Sequence, residues 1–391
     1  MLTTGGTGGE RPDGTRDEPR ASRSGAAHGP AADGPRARSD GTLDEALERL
    51  HAAGPERDGW LSNHAPMAVE ALVRGGQAEK VHRWLDRYRP KLEDMPAPYE
   101  RVTELNWREA LGDPRRIGDW SAYFSARLTR EPWRDVLAVW WPRLLPGIAG
   151  GATHPVIRTG HAVRTLLEDE ARTPGATAGP GSGALDPRRA ELGHALGYWA
   201  ARSLPLPPLS VLPPARDADG ALAAVPGVER RSGGIRERLA QLRGLPAWPE
   251  RRPATPEEAA ARLRELVAAA VHRYAAHGHG EPVMLVHAAT APNAVLRTLP
   301  ALPRELWSVS VDAAWAASGA VTAAYEVPGP GTADAALLAE ASGLGAAELF
   351  ARAAAHGDEH AVKFTDTALD VGGPLAGAAA LRSLALVEPL G

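Results

Sequence analysis

Cysteine is absent from this chain of 391 residues. That excludes disulfides, thiolate-bound zinc, iron–sulfur clusters and Cys nucleophiles. Any transition metal would have to rest on His, on carboxylates or on something made from Lys. Charge of one sign is also lacking: 44 basic residues stand against 48 acidic ones, for a net −4. Neither a nucleic-acid footprint nor a polybasic membrane patch is present. No apolar run approaches the roughly 18 residues that a membrane span needs. Sustained alternation of β-branched residues, the mark of strands, is missing, and no repeat of fixed period appears. No Gly-x-Gly-x-x-Gly follows a strand, and the early Gly5-Gly6-Thr7-Gly8-Gly9 lies in the N-terminal tail, so a Rossmann cofactor fold and a P-loop are not expected. What remains is a soluble, cytoplasmic, all-α protein with no nucleic-acid or membrane partner.

Helical signals fill the rest of the chain. Met1 to Asp40 has one Leu and no aromatic residue, too little apolar surface to offset chain entropy, so residues 1–41 read as a disordered tail. It has no apolar segment of the secretory kind. Thr42-Leu43-Asp44-Glu45 is a capping box and opens a helix ended by Gly54-Pro55. Asn63 caps a second helix, with Pro66 in its first turn and Gly75-Gly76 at its end. Val81, Trp84, Leu85 and Tyr88 mark a third, and Trp107, Leu111, Trp120, Phe124 and Leu128 continue the period. Helices are expected from Trp133 to Leu145, from a Thr153 cap to Glu170, and from Pro187 to Arg202. Residues 172–186 form a loop, and 203–234 are Pro-rich and long for a compact domain, hence a lid or an insertion. Helices follow over Pro256 to Tyr274, Pro282 to Leu299 with a break at Thr290-Ala291-Pro292, Glu305 to Ala323, Ala333 to Ala341, Ala346 to His356, Asp358 to Leu369 and Ala376 to Leu386. Residues 42–389 are taken as one helical catalytic domain with loop insertions.

Four of the 13 His differ from the others in setting. His64 and His154 stand at helix starts beside Pro66 and Pro155. His287 ends the apolar run Val283-Met284-Leu285-Val286. His360 shares a helix face with Lys363 and Phe364, three and four residues on. A buried imidazole among apolar or small residues needs a partner. One such His is most often a satisfied core residue; four in one helical chain raise a metal reading. His161, seven residues after His154 with Arg158 between, is a candidate to orient a ligand or substrate. His51, His82, His194 and His272 lie in charged helices and read as surface or satisfied residues. The short pairs His279-Gly-Glu281 and His356-Gly-Asp358 match half of a facial triad, a pattern common by chance.

These blocks, in order, resemble the questin oxidase family of aromatic polyketide metabolism. The resemblance is carried by Asn63-His64, by Trp141-Pro142-Arg143-Leu144-Leu145-Pro146-Gly147, and by Gly151-Ala152-Thr153-His154-Pro155-Val156-Ile157-Arg158-Thr159-Gly160-His161. Leu285-Val286-His287-Ala288-Ala289-Thr290 and Asp358 to Phe364 complete it. Fungal members carry a Tyr near the place of His161 and a His near Arg158, which keeps His161 out of the ligand set. The resemblance implies a helical fold and oxidative opening of an anthraquinone ring, long described as a Baeyer–Villiger reaction. It further implies a mononuclear non-haem Fe(II) held by His64, His154, His287, His360 and Lys363, the last as a carbamate made with CO₂.

That implication is chemically coherent. Burial and a neighbouring cation both disfavour the Lys ammonium, and the free amine can take up CO₂ and become a carboxylate-like oxygen ligand. Five ligands would leave one of six octahedral positions for O₂ or substrate. A phenolic ring, stacked on Trp or Phe side chains, would supply electrons to O₂. Most of the 11 Trp, including Trp84, Trp140 and Trp199, read as core. The substrate is expected to be a small aromatic polyketide, with His161 and Arg158 as catalytic candidates. Two alternatives stay open: a Baeyer–Villiger-type monooxygenase that uses NADPH as external reductant without a flavin motif, and an inactive helical polyketide-binding protein.

Overall fold

A computed structural model describes residues 35–172, 185–327, 329 and 331–391. Among these residues the fold is all-α. In chain order the first helices are α1 (Pro35–His51), α2 (Ala65–Arg74), α3 (Val81–Tyr88), α4 (Trp107–Ala110), α5 (Ile117–Arg130) and α6 (Trp133–Leu144). Next come α7 (His154–Arg172), α8 (Pro187–Arg202), α9 (Ala218–Ala223), α10 (Ile235–Leu239), α11 (Pro256–His277) and α12 (Pro282–Leu285). The set closes with α13 (His287–Thr298), α14 (Trp307–Tyr325), α15 (Ala335–Gly343), α16 (Ala346–His356), α17 (Glu359–Val371) and α18 (Gly373–Leu386). Strand is limited to two short pairs. Antiparallel β1 (Glu56–Arg57) and β2 (Leu61–Ser62) form one; parallel β3 (Ser210–Leu212) and β4 (Gly244–Pro246) form the other.

Several boundaries differ from the sequence reading, each for a local reason. α1 starts at Pro35, so the Thr42 capping box lies inside a helix already under way. Residues 1–34 of the expected tail, and 173–184 of the expected loop, lie outside the described residues. The period through Trp107 and Leu128 is interrupted after α4, where Pro114 starts a 3₁₀ turn capped by the Asp113 carboxylate. The break in the 282–299 segment falls between Leu285 and His287, while Pro292 sits within α13. The 203–234 segment is anchored rather than loose: its β3 pairs with β4, α9 packs on α11, and Val228 N–H donates to Ala323 O.

Two apolar clusters hold the helices. The larger contains an aromatic group in which Trp120, Tyr123, Phe124 and Trp107 all meet Trp140, with ring centroids 5.0–5.4 Å apart. Trp140, Trp141 and Trp199 are fully buried there. Edge-to-face pairs of this kind add about 1 kcal/mol each beyond area burial. The smaller cluster joins α1, α2 and α3 to α16 and α17 through Leu47, Leu72, Trp84, Tyr88, Phe350 and Val362. α7 and α13 approach closely because Gly160 lies against Ala294: a Cβ at 160 would come within 2.6 Å of it.

Candidate metal centre

Four helices of this fold begin at the same place. His64 is the N-cap of α2, His154 and His287 are the first residues of α7 and α13, and His360 is the second of α17. Their ligand nitrogens all lie within 4.8 Å of one another, and all four side chains are buried. Ring centroids are 4.4 Å apart for His64–His154, His64–His360 and His154–His287. Positions separated by as many as 296 residues of sequence therefore converge (His64 to His360).

Local structure sets each ring. Asn63 Oδ1 accepts from Ala65 N–H at 3.0 Å, and Tyr88 Oη accepts from His64 N–H at 3.0 Å, fixing the start of α2. Before α7 the chain makes a left-handed turn through Gly151, Ala152 and Thr153, with φ of 53°, 54° and 66°. This conformation costs a non-Gly residue roughly 1–2 kcal/mol. It aims the Gly151 carbonyl at His154 Nδ1, 2.6 Å away. Thr153, expected as a cap, makes no hydrogen bond through Oγ1. At the break before α13 the Met284 carbonyl lies 3.0 Å from His287 Nδ1. Asp358 caps α17, accepting from His360 and Ala361 N–H at 2.8 and 3.1 Å.

Tautomers follow from these partners. A carbonyl only accepts, so Nδ1 of His154 and of His287 carries the proton and Nε2 is a lone pair. Those two Nε2 atoms face each other at 2.8 Å. For His64 and His360 the oxygens near Nδ1 are carboxylates: Glu359 Oε1 at 3.8 Å and Asp358 Oδ1 at 3.5 Å. All four rings thus have an oxygen on the Nδ1 side. Outer oxygens of this kind orient metal-binding imidazoles and raise their basicity. Both nitrogens of His64, Nδ1 of His360 and Nζ of Lys363 are buried without a hydrogen-bond partner. Unsatisfied groups in such number at one point mark a missing partner.

The electrostatics favour lone pairs over protons. Burial drives His64, His154 and His287 well below the ordinary imidazole value; the Lys363 charge adds to this for His64 and His154, and His154 does so for His287. Lys363 is fully buried. Burial lowers its ammonium to about 7, against the opposing pull of Glu359 and Asp358. A free amine is then accessible near neutral pH. Donor set and orphaned atoms fit a divalent transition metal, with imidazole as the borderline ligand type that iron, zinc and copper accept.

Not every expected residue joins the four imidazoles. Arg158 forms a buried fork with Glu191 of α8, at 2.5 and 2.7 Å, and His161 Nδ1 donates to Glu70 at 2.5 Å. Phe364 is fully buried and packs on Tyr274, centroids 4.4 Å apart, so it offers no free face for a substrate ring. His194 is not satisfied as expected: Nδ1 lacks a partner, the ring stacks on His51, and burial lowers it to about 3. His356 bonds the Val387 carbonyl at 3.0 Å. A cavity of about 590 Å³ lies along α5, lined by Tyr99, Thr103, Glu104, Tyr123 and Arg127, and includes none of His64, His154, His287, His360 and Lys363. Sequence reasoning missed Asp358 and Glu359 as the carboxylates nearest His360 and His64. The signal was present: Asp358 stands two residues before His360, at a cap position.

The family model described as Questin oxidase-like matches residues 61–168. This bears out the resemblance read from the sequence over a stretch that includes His64 and His154. No curated protein matches the chain.

Proposed function

We propose that this chain, similar over residues 61–168 to the questin oxidase-like family, is a non-haem iron oxygenase. Its substrate would be an aromatic polyketide of the anthraquinone type, cleaved at a ring C–C bond with O₂. His64, His154, His287 and His360 would hold Fe(II) through Nε2, with Lys363 as a carbamate. The observation that carries the reading is the facing pair of Nε2 lone pairs on His154 and His287, beside an orphaned Lys363 amine. When bound, iron would supply the site at which O₂ and an electron-rich ring exchange electrons.

The chain's own residues would do the remaining work. Gly151 O and Met284 O hold the rings of His154 and His287, and the Glu359 and Asp358 carboxylates, 3.8 and 3.5 Å from Nδ1 of His64 and His360, would draw in to orient the other two. The amine of Lys363 adds to CO₂, forming an N–C bond and releasing one proton, which leaves an anionic oxygen where an ammonium could not ligate. Four helix N-termini point at the site, and their dipoles favour an anionic carbamate and an ionised phenol over an ammonium. Residual exposure lies on His64, His154 and His360, at 6, 6 and 8%, with none on His287 or Lys363. Substrate and O₂ would therefore approach on the His64–His154–His360 side. His161 and Arg158 would act through their partners, Glu70 on α2 and Glu191 on α8, rather than on substrate.

The test is oxygen uptake by protein loaded anaerobically with Fe(II) and given a hydroxylated anthraquinone or its hydroquinone, with and without NADPH. Uptake that needs iron and vanishes in His287→Ala supports the proposal. NADPH oxidation without any metal requirement would favour a monooxygenase of another kind. Tight polyketide binding without uptake would favour a binding protein.

A further inference from the structure

Beyond the imidazoles, the same four helices are joined a second time. Glu70 on α2 accepts from Arg164 on α7, through Nε at 2.8 Å and also through Nη2. Arg164 also donates to both oxygens of Asp366 on α17, at 3.1 and 3.0 Å. Asp366 accepts from Arg297 on α13 at 2.8 Å, and Arg297 is bound in turn to Asp370 at 2.5 and 2.8 Å. Glu70, Arg164 and Asp366 are buried. One continuous chain of charge-assisted bonds thus links α2, α7, α17 and α13, and every one of these helices carries a metal-site His in its first turn.

The spacing has a regularity that packing alone does not require. Glu70 lies six residues beyond His64, and Asp366 six beyond His360; Arg164 and Arg297 lie ten beyond His154 and His287. At 1.5 Å per residue the network sits roughly 9–15 Å down each helix from its imidazole. Apolar helix faces tolerate small sliding and rotation. Planar guanidinium–carboxylate forks do not, because two parallel bonds fix both distance and angle. Buried ion pairs seldom gain stability over apolar replacements of the same volume, so their use in setting register is the better account here.

We propose that Glu70, Arg164, Asp366 and Arg297 are positioning residues for the metal centre, fixing the register of the four helices that present its imidazoles. This rests on the reading that those imidazoles hold a metal. The buried pair at the start of α5, Arg116 just before the helix with Asp119 in its first turn, joins no ligand-bearing helix and serves as the control.

The experiment is titration of the metal-free protein with Co²⁺, reading affinity by chelator competition, site geometry by visible absorption, and melting temperature with and without metal. In Asp366→Asn, with every proposed ligand intact, affinity should fall about 10–100-fold, as loss of outer orienting groups does. The absorption should change shape, and the metal-induced rise in melting temperature should shrink. Asp119→Asn should lower the melting temperature while leaving affinity and spectrum as in the parent chain. Should Asp366→Asn fail to fold by circular dichroism, Arg297→Lys, which keeps the charge and loses the guanidinium's simultaneous bonds to Asp366 and Asp370, is read in the same way. Wild-type affinity and spectrum in the folded network variant would overturn the inference and leave the metal reading standing. No Co²⁺ binding by the parent chain would overturn both.

Discussion

The Nε2 atoms of His154 and His287 stand 2.8 Å apart, and the proton of each ring is committed to a backbone carbonyl on the opposite side. Two lone pairs at that distance repel, and burial opposes relief by protonation. A cation between them removes the repulsion. His287→Gln should therefore leave the metal-free protein as stable as the parent chain, or more so, while abolishing the metal-induced rise in melting temperature. For the parent chain that rise corresponds to about 4 kcal/mol when free metal is 1,000 times Kd. Thermal scans with and without Fe(II) or Co²⁺ check both halves of the statement.

Acidity should act on the metal-free protein in one direction. His64, His154, His287 and Lys363 have lowered pKa values, so at these groups the unfolded chain binds more protons than the folded one. Stability then rises with pH wherever that difference exists. For Lys363 the window runs from about 7 up to its ordinary value of 10.5. Its contribution there approaches about 1.4 kcal/mol per pH unit. Lys363→Met should flatten that part of the denaturant-unfolding profile. The imidazoles act below about 6.5, where acid should also release metal.

Lys363→Ala should lose metal retention, and bicarbonate or acetate should restore part of it by supplying the missing oxygen ligand. Carbon-13 NMR of the parent chain, equilibrated with labelled bicarbonate, should show a carbamate signal that the variant lacks. Normal iron occupancy in Lys363→Ala would refute the carbamate.

Glu359 lies 3.8 Å from His64 Nδ1 and is itself held by Lys91 at 3.3 Å. Glu359→Gln should weaken metal binding by about 10–100-fold while preserving helix content. Chelator competition and circular dichroism measure the two effects separately.

Trp140→Ala gives the opposite pattern. Its ring meets four other aromatic rings in the core, none of them a proposed metal ligand. Removing it should cost about 3–5 kcal/mol of stability in denaturant unfolding, with metal affinity per folded molecule unchanged.

Much of this was legible in the sequence because helical period and capping residues are local signals. α8 has the expected bounds for that reason, and α3 carries the four apolar positions that marked it. The four His were separable from the rest by their apolar or small-residue settings, and His64 and His154 also by standing at helix starts. Their convergence was not legible, since it depends on how α2, α7, α13 and α17 pack. The left-handed turn at Ala152 and Thr153 was hidden because both residues ordinarily avoid that conformation, and Thr153 imitates a cap. The pairing of Arg158 with Glu191 and of Arg164 with Glu70 and Asp366 depends on interhelix geometry that charge patterning along one helix does not contain.

The central claim is that His64, His154, His287 and His360 bind one transition metal with Lys363. Elemental analysis of the protein loaded anaerobically with Fe(II) and freed of excess metal tests it most directly. The account predicts about one iron per chain in the parent protein and none retained in His287→Ala or His360→Ala. A parent protein that retains no transition metal, or variants that retain as much as the parent, would contradict it.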